Sequence, residues 1–363
     1  MATGTARVQG QVRVVGAGLL GASIGLGLRA RGVDVVLADA SPANLRLAID
    51  YGAGTAASDD DDPALVVVCV PPDLTATVVA AELTAHPDAV VTDVASVKVA
   101  PYTELEASGI DLSRYVGSHP LAGRERGGAI SGRADLFVGR PWVVCTRPEL
   151  SRARVGIVES LILDLGATPV EMNTVAHDAA VALVSHTPQV VSTLMAKRLT
   201  SSSDAALTLA GQGVRDVTRI AASEPELWVQ ILGANAPAVV EILAAFRDDL
   251  DAVLRALADP DAPGARRTLA QELAAGNSGV SRLPGKHGQD RRYAQVVVMV
   301  EDKPGELGRL FTEMGEIGVN LEDLRLEHSP GAQIGLAEIA VLPEAQQRTI
   351  DELSARGWRI AGS

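Results

Sequence analysis

Three short clusters gather side chains that move protons or hold anions. Thr92-Asp93-Val94-Ala95-Ser96-Val97-Lys98 reads as an apolar strand end followed by a hydroxyl and a cation. Gly117-Ser118-His119-Pro120-Leu121-Ala122-Gly123-Arg124-Glu125-Arg126-Gly127-Gly128 places an imidazole in a glycine-flanked loop. Ser185-His186-Thr187-Pro188-Gln189 falls on an expected helix, with Arg215-Asp216-Val217-Thr218-Arg219 further along. An imidazole with an ordinary pKa of about 6.5 takes up a proton near neutrality, and Pro120 stiffens the backbone beside His119, so His119 is the leading general-base candidate. The plainer alternative is a loop histidine that caps the following turn. For His186 it is a helix residue satisfied by a nearby backbone group, and for Arg219 a surface charge. His177, ahead of Asp178 at an expected helix start, reads as a capping or surface residue. His86, His287 and His328 lie among polar neighbours and carry no such signal.

The element that must position these groups starts at Val12-Arg13-Val14-Val15-Gly16-Ala17-Gly18-Leu19-Leu20-Gly21-Ala22-Ser23-Ile24-Gly25. A β-branched run feeding Gly-x-Gly-x-x-Gly and then a small, apolar segment has the strand, turn and helix start of a dinucleotide site. Gly16 permits the turn, Gly18 lets a pyrophosphate approach the main chain, and Gly21 lets helix and strand pack closely. Leu19 and Leu20, inside the same turn, are counted among the cofactor contacts. Val33 to Asp39 is a second apolar strand ending in an acid, 18 residues past Gly21. A carboxylate there accepts hydrogen bonds from the adenosine ribose and repels a 2′-phosphate, which favours NAD over NADP. Arg46 softens that exclusion, and Asp39 could instead simply cap the turn Asp39-Ala40-Ser41-Pro42.

With 363 residues the chain has room for two or three domains. Hydrophobic residues make up 47% and aromatics only 3%, so the cores must be built from Ala, Val and Leu. A formal net charge of -13 argues against nucleic acid as a partner, and an anionic substrate then needs a local pocket of Arg and His. Cys69 and Cys145 each sit in a Val-rich run and read as core thiols, with neither a disulfide framework nor zinc spacing, so no metal is expected. The first residues lack the charged-then-apolar order of a secretory signal, and no uninterrupted apolar segment nears the ~20 residues of a membrane span. A cytoplasmic protein without membrane contact is expected.

Residues 1–150 alternate strand-like and helix-like segments, implying a parallel, doubly wound Rossmann-type sheet. Its strands include residues 64–70, stopped by Pro71-Pro72, then 89–94 and 141–145. Ligands bind beyond the carboxyl ends of such strands, so Val70, Pro71, Ser96 and the loop through His119 should face the cofactor. Residues 151–275 carry long Ala/Leu/Val helical patterns, expected to supply a substrate pocket and a homodimer interface. One helix begins at Asn173, another at Glu224-Pro225. A turn-rich linker covers 276–292, including Lys286-His287. Residues 293–363 then run β-α-β-β-α with a short final strand, a ferredoxin-like α+β order. Met299-Val300-Glu301-Asp302-Lys303-Pro304-Gly305-Glu306-Leu307 resembles the first strand-to-helix turn of ACT regulatory domains.

Together the glycine loop, Asp93…Ser96-Val97-Lys98, Ser118-His119-Pro120-Leu121-Ala122-Gly123…Glu125…Gly128, Ser185-His186…Pro188 and Asp216…Thr218-Arg219-Ile220-Ala221 resemble prephenate dehydrogenases in order and spacing. The resemblance covers nearly the whole chain, including an appended ACT-like module. Arg124 stands where a small polar residue is usual, and Gln189 where a histidine is common. The resemblance implies NAD-dependent oxidative decarboxylation of prephenate to 4-hydroxyphenylpyruvate on the route to tyrosine. It further implies His119 as base, Ser96 as the group that positions it, and His186, Arg219 and Ser118 as substrate contacts. Arogenate dehydrogenase, forming tyrosine directly, is the nearest rival. A β-hydroxyacid dehydrogenase would rely on a helical lysine, for which Lys197 is the one candidate. A non-catalytic amino-acid sensor is opposed by the intact Ser96 and His119. The ACT-like module is expected to bind tyrosine or another aromatic amino acid, or else only to dimerise.

Overall fold

The computed structural model describes residues 5–123, 128–283, 293–328 and 334–361. Arg124, Glu125 and the Lys286-His287 pair lie outside the described residues. The chain forms two compact units, one of Met1–Leu194 with Ile220–Ala245, the other of Met195–Arg219 with Phe246–Ser363.

In the first unit β1 (Gln11–Val15), α1 (Leu19–Arg29), β2 (Val35–Ala38), α2 (Pro42–Asp50), β3 (Thr55–Ala56), β4 (Pro63–Val68), α3 (Pro72–Ala85), β5 (Val90–Asp93), α4 (Val99–Ala107) and β6 (Tyr115–Pro120) alternate as expected. They are followed by β7 (Pro141–Cys145), α5 (Arg152–Asp164) and β8 (Thr168–Met172). The eight strands form one sheet in the order β3-β2-β1-β4-β5-β6-β7-β8. β1 is flanked by β2 and β4, so the chain reverses its winding direction beside the glycine turn, where open α/β sheets bind ligands. β4 shows why its sequence is a continuous apolar run. Leu65 and Val67 enter one core with α1 and α5 residues, whereas Val66 and Val68 enter another with Val79 and Leu83 of α3. A strand covered on both faces has no polar side to expose.

Two features depart from the sequence expectation. β7 runs antiparallel to β6, because the chain returns between them without a crossover helix, so the sheet is not wholly parallel. The sheet also continues to Met172, past the residue 150 at which a change to helix was expected.

Helices follow: α6 (Thr174–Val181), a π-helical turn at Ala182–His186, α7 (Thr187–Leu199), α8 (Asp204–Leu207), α9 (Gln212–Thr218), α10 (Pro225–Ala234), α11 (Ala236–Ala258) and α12 (Ala265–Val280). They divide between the two units. α10 joins the first, where Gln230 reaches Asp73 of α3 and Asn235 bonds the Asp178 carbonyl at 2.8 Å. Thr174–Leu199 is a 26-residue helix apolar enough, by length and composition, to cross a membrane, although the sequence suggested none. Its buried His177, Asp178 and His186 are held by protein groups, as in a helix packed within a fold.

The second unit contains β9 (Ala294–Glu301), α13 (Glu306–Ile317), β10 (Asp323–His328), β11 (Ile334–Val341), α14 (Gln346–Ala355) and β12 (Arg359–Ile360). The strands form an antiparallel sheet in the order β10-β11-β9-β12 over a core of Val296, Val298, Leu310, Met314, Ile339 and Leu353. The β-α-β-β-α-β order is therefore present.

Candidate active site

The glycine turn is shaped as its chemistry requires. Gly16 has φ +102°, and a Cβ there would lie 2.3 Å from the Cys69 carbonyl oxygen, so no other residue fits without a shift. A Cβ on Gly21 would lie 1.9 Å from the Gly16 oxygen, which is why the start of α1 can sit so close to β1. Gly18 differs. A Cβ there would meet nothing within 4 Å, leaving an open cradle at the α1 N-terminus. Gly18 is the N-cap without a side-chain cap, and the first turn of α1 carries no acid, so its amides and positive dipole end suit a pyrophosphate. Leu19 and Leu20 are half-buried in that turn, and Val70 N lies near the Gly16 position, with Pro71 next as N-cap of α3. The Asp39 carboxylate accepts from Ala17 N at 2.6 Å and Ser41 N at 2.7 Å. It thus ties the glycine turn to the end of β2 and caps its own turn, each oxygen keeping a lone pair for a ribose hydroxyl. These residues fit a dinucleotide.

His119 lies on strand β6, not in a loop, opposite Val143 of β7. Its Nδ1 is 2.9 Å from Nε2 of His177, the rings meeting edge to face. His177 Nδ1 is in turn 2.7 Å from Asp178 Oδ1. The Asp178 carboxylate also accepts from the backbone of Lys98 at 2.8 Å and of Val99 at 2.9 Å, at the start of α4. Part of His119 stays open to solvent, yet its ring is hemmed in. Burial, with His177, Lys98 and His186 close by, holds its pKa well below the usual 6.5. It is therefore neutral at physiological pH, as a proton acceptor must be.

His177 corrects the sequence reading. It is fully buried rather than capping, and the cap of α6 is the Asn173 side chain, which accepts from Ala176 N at 2.7 Å. Beneath His119 the buried Lys98 ammonium pairs with Asp93 Oδ2, and Tyr115 donates to Asp93 Oδ1 at 2.8 Å.

Ser118 is also corrected. Successive residues of a strand point to opposite faces, so its side chain turns away from the face His119 uses. Its hydroxyl is fully buried, donating to the Asp93 carbonyl at 2.8 Å and lying 3.0 Å from both the Thr92 hydroxyl and Trp142 Nε1. It braces β5 against β7 and has no free face for substrate. Ser96 is half-buried in the loop between β5 and α4, while the Nδ1 side of His119 is held by His177.

His186 ends the π turn and is buried. Asn235 Nδ2 donates to the Asp178 carbonyl and lies 3.1 Å from His186 Nδ1, so Nδ1 is the acceptor and Nε2 carries the hydrogen. Burial, partly offset by Asp178, lowers its pKa to about 4, so it acts as a neutral donor rather than a cation. Gln189 donates to Ser223 Oγ at 2.7 Å. Arg219 is an exposed residue of the second unit, just past α9. Lys98 closes the first of the three clusters, whereas His177, Asp178 and Asn235 join the site without having been singled out for it; the available signal was the adjacent His177-Asp178 pair near the start of an apolar helix.

A glycine turn at the reversal point of a mostly parallel sheet, an acid closing the second strand and a held, neutral imidazole at the strand ends define an NAD-dependent oxidoreductase. Residues 24–171 match the family described as prephenate dehydrogenase, nucleotide-binding domain, and residues 173–271 match prephenate dehydrogenase, dimerization domain. The chain is 37% identical to the probable prephenate dehydrogenase NovF of Streptomyces niveus, over 95% of this chain and 98% of that protein. It is 30% identical to the cyclohexadienyl dehydrogenase of Zymomonas mobilis, over 69% of this chain and 89% of that protein. Prephenate dehydrogenase from A. aeolicus, solved with hydroxyphenyl propionate and NAD+, superposes with a TM-score of 0.66 at 25% identity, covering 75% of this chain and 98% of that one. Synechocystis arogenate dehydrogenase gives a TM-score of 0.60 at 26% identity, covering 74% of this chain and 99% of that one. The chain belongs to the prephenate dehydrogenase family.

Proposed function

We propose that this chain oxidises and decarboxylates prephenate to 4-hydroxyphenylpyruvate, with His119 as the general base. The observation that carries the reading is His119 at the end of β6, neutral, half-exposed and held at Nδ1. Prephenate bears a ring hydroxyl at C4 and a ring carboxylate at C1. Gly16, Gly18, Leu19, Leu20, Gly21, Asp39, Val70 and Pro71 would hold NAD, which when bound would supply the acceptor for the hydride from C4. His119 takes the C4 hydroxyl proton at Nε2, CO2 leaves C1, and its bonding pair completes the aromatic ring. Ser96, in the loop after β5, helps to position His119 and the nicotinamide. His186 donates Nε2–H to a carboxylate, and Arg219 supplies a charged partner. Arg219 serves binding and orientation, because stabilising the departing carboxylate in the ground state would oppose its loss.

Residues 1–150 with the rest of the sheet carry NAD, 151–275 carry substrate and the dimer contact, the linker starts only after α12 ends at Val280 rather than at 276, and 293–363 act as an ACT-like regulatory module. A homodimer is supported by the matched dimerization domain and by the exposed apolar row Phe246, Leu250, Leu254 and Leu257 on α11. Tyrosine is the proposed effector, supported by a cavity of about 140 Å³ between the β9–α13 turn at Gly305 and Leu326, Gly335 and Leu336. Deleting residues 293–363 should abolish tyrosine sensitivity; unchanged sensitivity would end that reading. A cytoplasmic location follows from the biosynthetic role.

The arogenate reading draws on the Synechocystis likeness and on Gln189, whose amide oxygen could receive an ammonium. The test is NADH or NADPH formation, by absorbance, from prephenate and arogenate, each with NAD and NADP. Prephenate with NAD should be fastest; a preference for arogenate keeps the mechanism and changes the substrate.

A further inference from the structure

We propose that His177 is a positioning residue that fixes the tautomer of His119, with Asp178 acting through it to keep Nε2 of the base free to accept a proton. The inference rests on the reading of His119 as the base.

It follows from the direction of each hydrogen bond. Asp178 already accepts two backbone N–H groups where α4 begins, a position that favours an anion, so its carboxylate can only accept from His177. His177 therefore carries its hydrogen on Nδ1, 2.7 Å from Asp178 Oδ1. With that one hydrogen on Nδ1, the ring presents a lone pair at Nε2 to His119 Nδ1, 2.9 Å away, and that nitrogen then holds the hydrogen. The other His119 tautomer would set two lone pairs against each other at that distance. Nε2 of His119 is left as the acceptor. No exposed surface remains on His177 through which water could replace it. Among the described residues, the remaining ionisable neighbours are the paired Lys98 and Asp93 and the neutral His186, none of which bonds His119 Nδ1. When His119 becomes an imidazolium, its Nδ1–H bond to His177 is charge-assisted and strengthens as charge develops.

The test compares wild type with His177→Gln and His177→Asn, measuring kcat, KM for prephenate and Kd for NAD. A glutamine oxygen reaches the place of Nε2, whereas an asparagine oxygen reaches only that of Nδ1. H177Q should keep kcat within about ten-fold and H177N should lose about 100-fold or more, with KM and Kd within about three-fold in both, since a mis-set tautomer costs rate rather than binding. Equal losses in the two variants, or an H177N defect confined to KM, would overturn the proposal. Nitrogen-15 NMR of the wild-type histidines reads the tautomer without turnover. Hydrogen on Nδ1 of His119 is expected, and hydrogen on Nε2 would overturn the proposal even in an active enzyme. Absence of turnover of both substrates by wild type would instead sink the dehydrogenase reading and leave the tautomer result standing.

Discussion

The end of the large sheet around His119 and the core of the C-terminal sheet use burial for opposite ends. Around His119, Thr92, Asp93, Lys98, Ser118, His177, Asp178 and His186 are all buried, and the hydrogen bonds recorded there cross from β5 to β6, from β6 to α6 and from α4 to α6. In the C-terminal sheet the core is apolar, Trp358 among its aliphatic members, and ion pairs such as Glu306 with Arg309 and Glu352 with Arg356 lie at the surface. An apolar core tolerates small errors of position, because dispersion is non-directional. A buried polar network does not, because every unmatched donor or acceptor costs its full desolvation. The first arrangement therefore belongs where atoms must be held to a fraction of an ångström, and the second where a scaffold only has to stay folded.

The largest expected effect breaks the chemistry and leaves the network's neighbours alone. His119→Asn should lower kcat by about 1,000-fold or more while NAD still binds, measured by steady-state kinetics and fluorescence titration. Unimpaired turnover would remove His119 from the reaction. Next, Lys98→Met strands the buried Asp93 carboxylate and should cost the first unit about 3–5 kcal/mol in chemical denaturation. A near-neutral result would mean that this network bends as readily as an apolar core. On the other side of the comparison, Leu310→Ala should cost about 2–5 kcal/mol, expressed as earlier unfolding of the C-terminal unit with prephenate turnover intact. Smallest is a pH effect. His186 refuses a proton down to about pH 4 when folded but accepts one near 6.5 when unfolded, so its contribution is complete above 6.5 and is lost as pH falls toward 4. Thermal scans across that window should show a decline that His186→Gln lessens.

How far the sequence revealed this arrangement follows from the range of each interaction. The glycine turn, the apolar strand β4 and the order of the C-terminal elements are local, periodic patterns, and all were legible. β6 was hidden because Gly117 and Pro120 are turn residues; only its pairing with β7 makes it a strand. Ser118 looked like a substrate hydroxyl because it adjoins His119 in sequence, yet strand alternation sends neighbours to opposite faces. The partner of His119 stands 58 residues away, and the amide that bonds Nδ1 of His186 stands 49 away. No local pattern announces a contact made across the fold.

The π turn at Ala182–His186 bears on how this gene can change. In a regular helix His177 and His186 would lie roughly 180° apart around the axis, since each residue turns about 100°. The extra residue in the π turn brings them to about 80°, near enough for Asn235 to bond both His186 and the carbonyl of Asp178. Deleting one codon between 182 and 185 would leave a regular helix with the two histidines eight positions apart, again at about 80°, so His186 would keep its side. The π turn is thus a place where this helix can lose one residue without turning its histidines apart, whereas a one-residue change on either side of it, within the regular helix, would rotate one histidine by about 100° relative to the other.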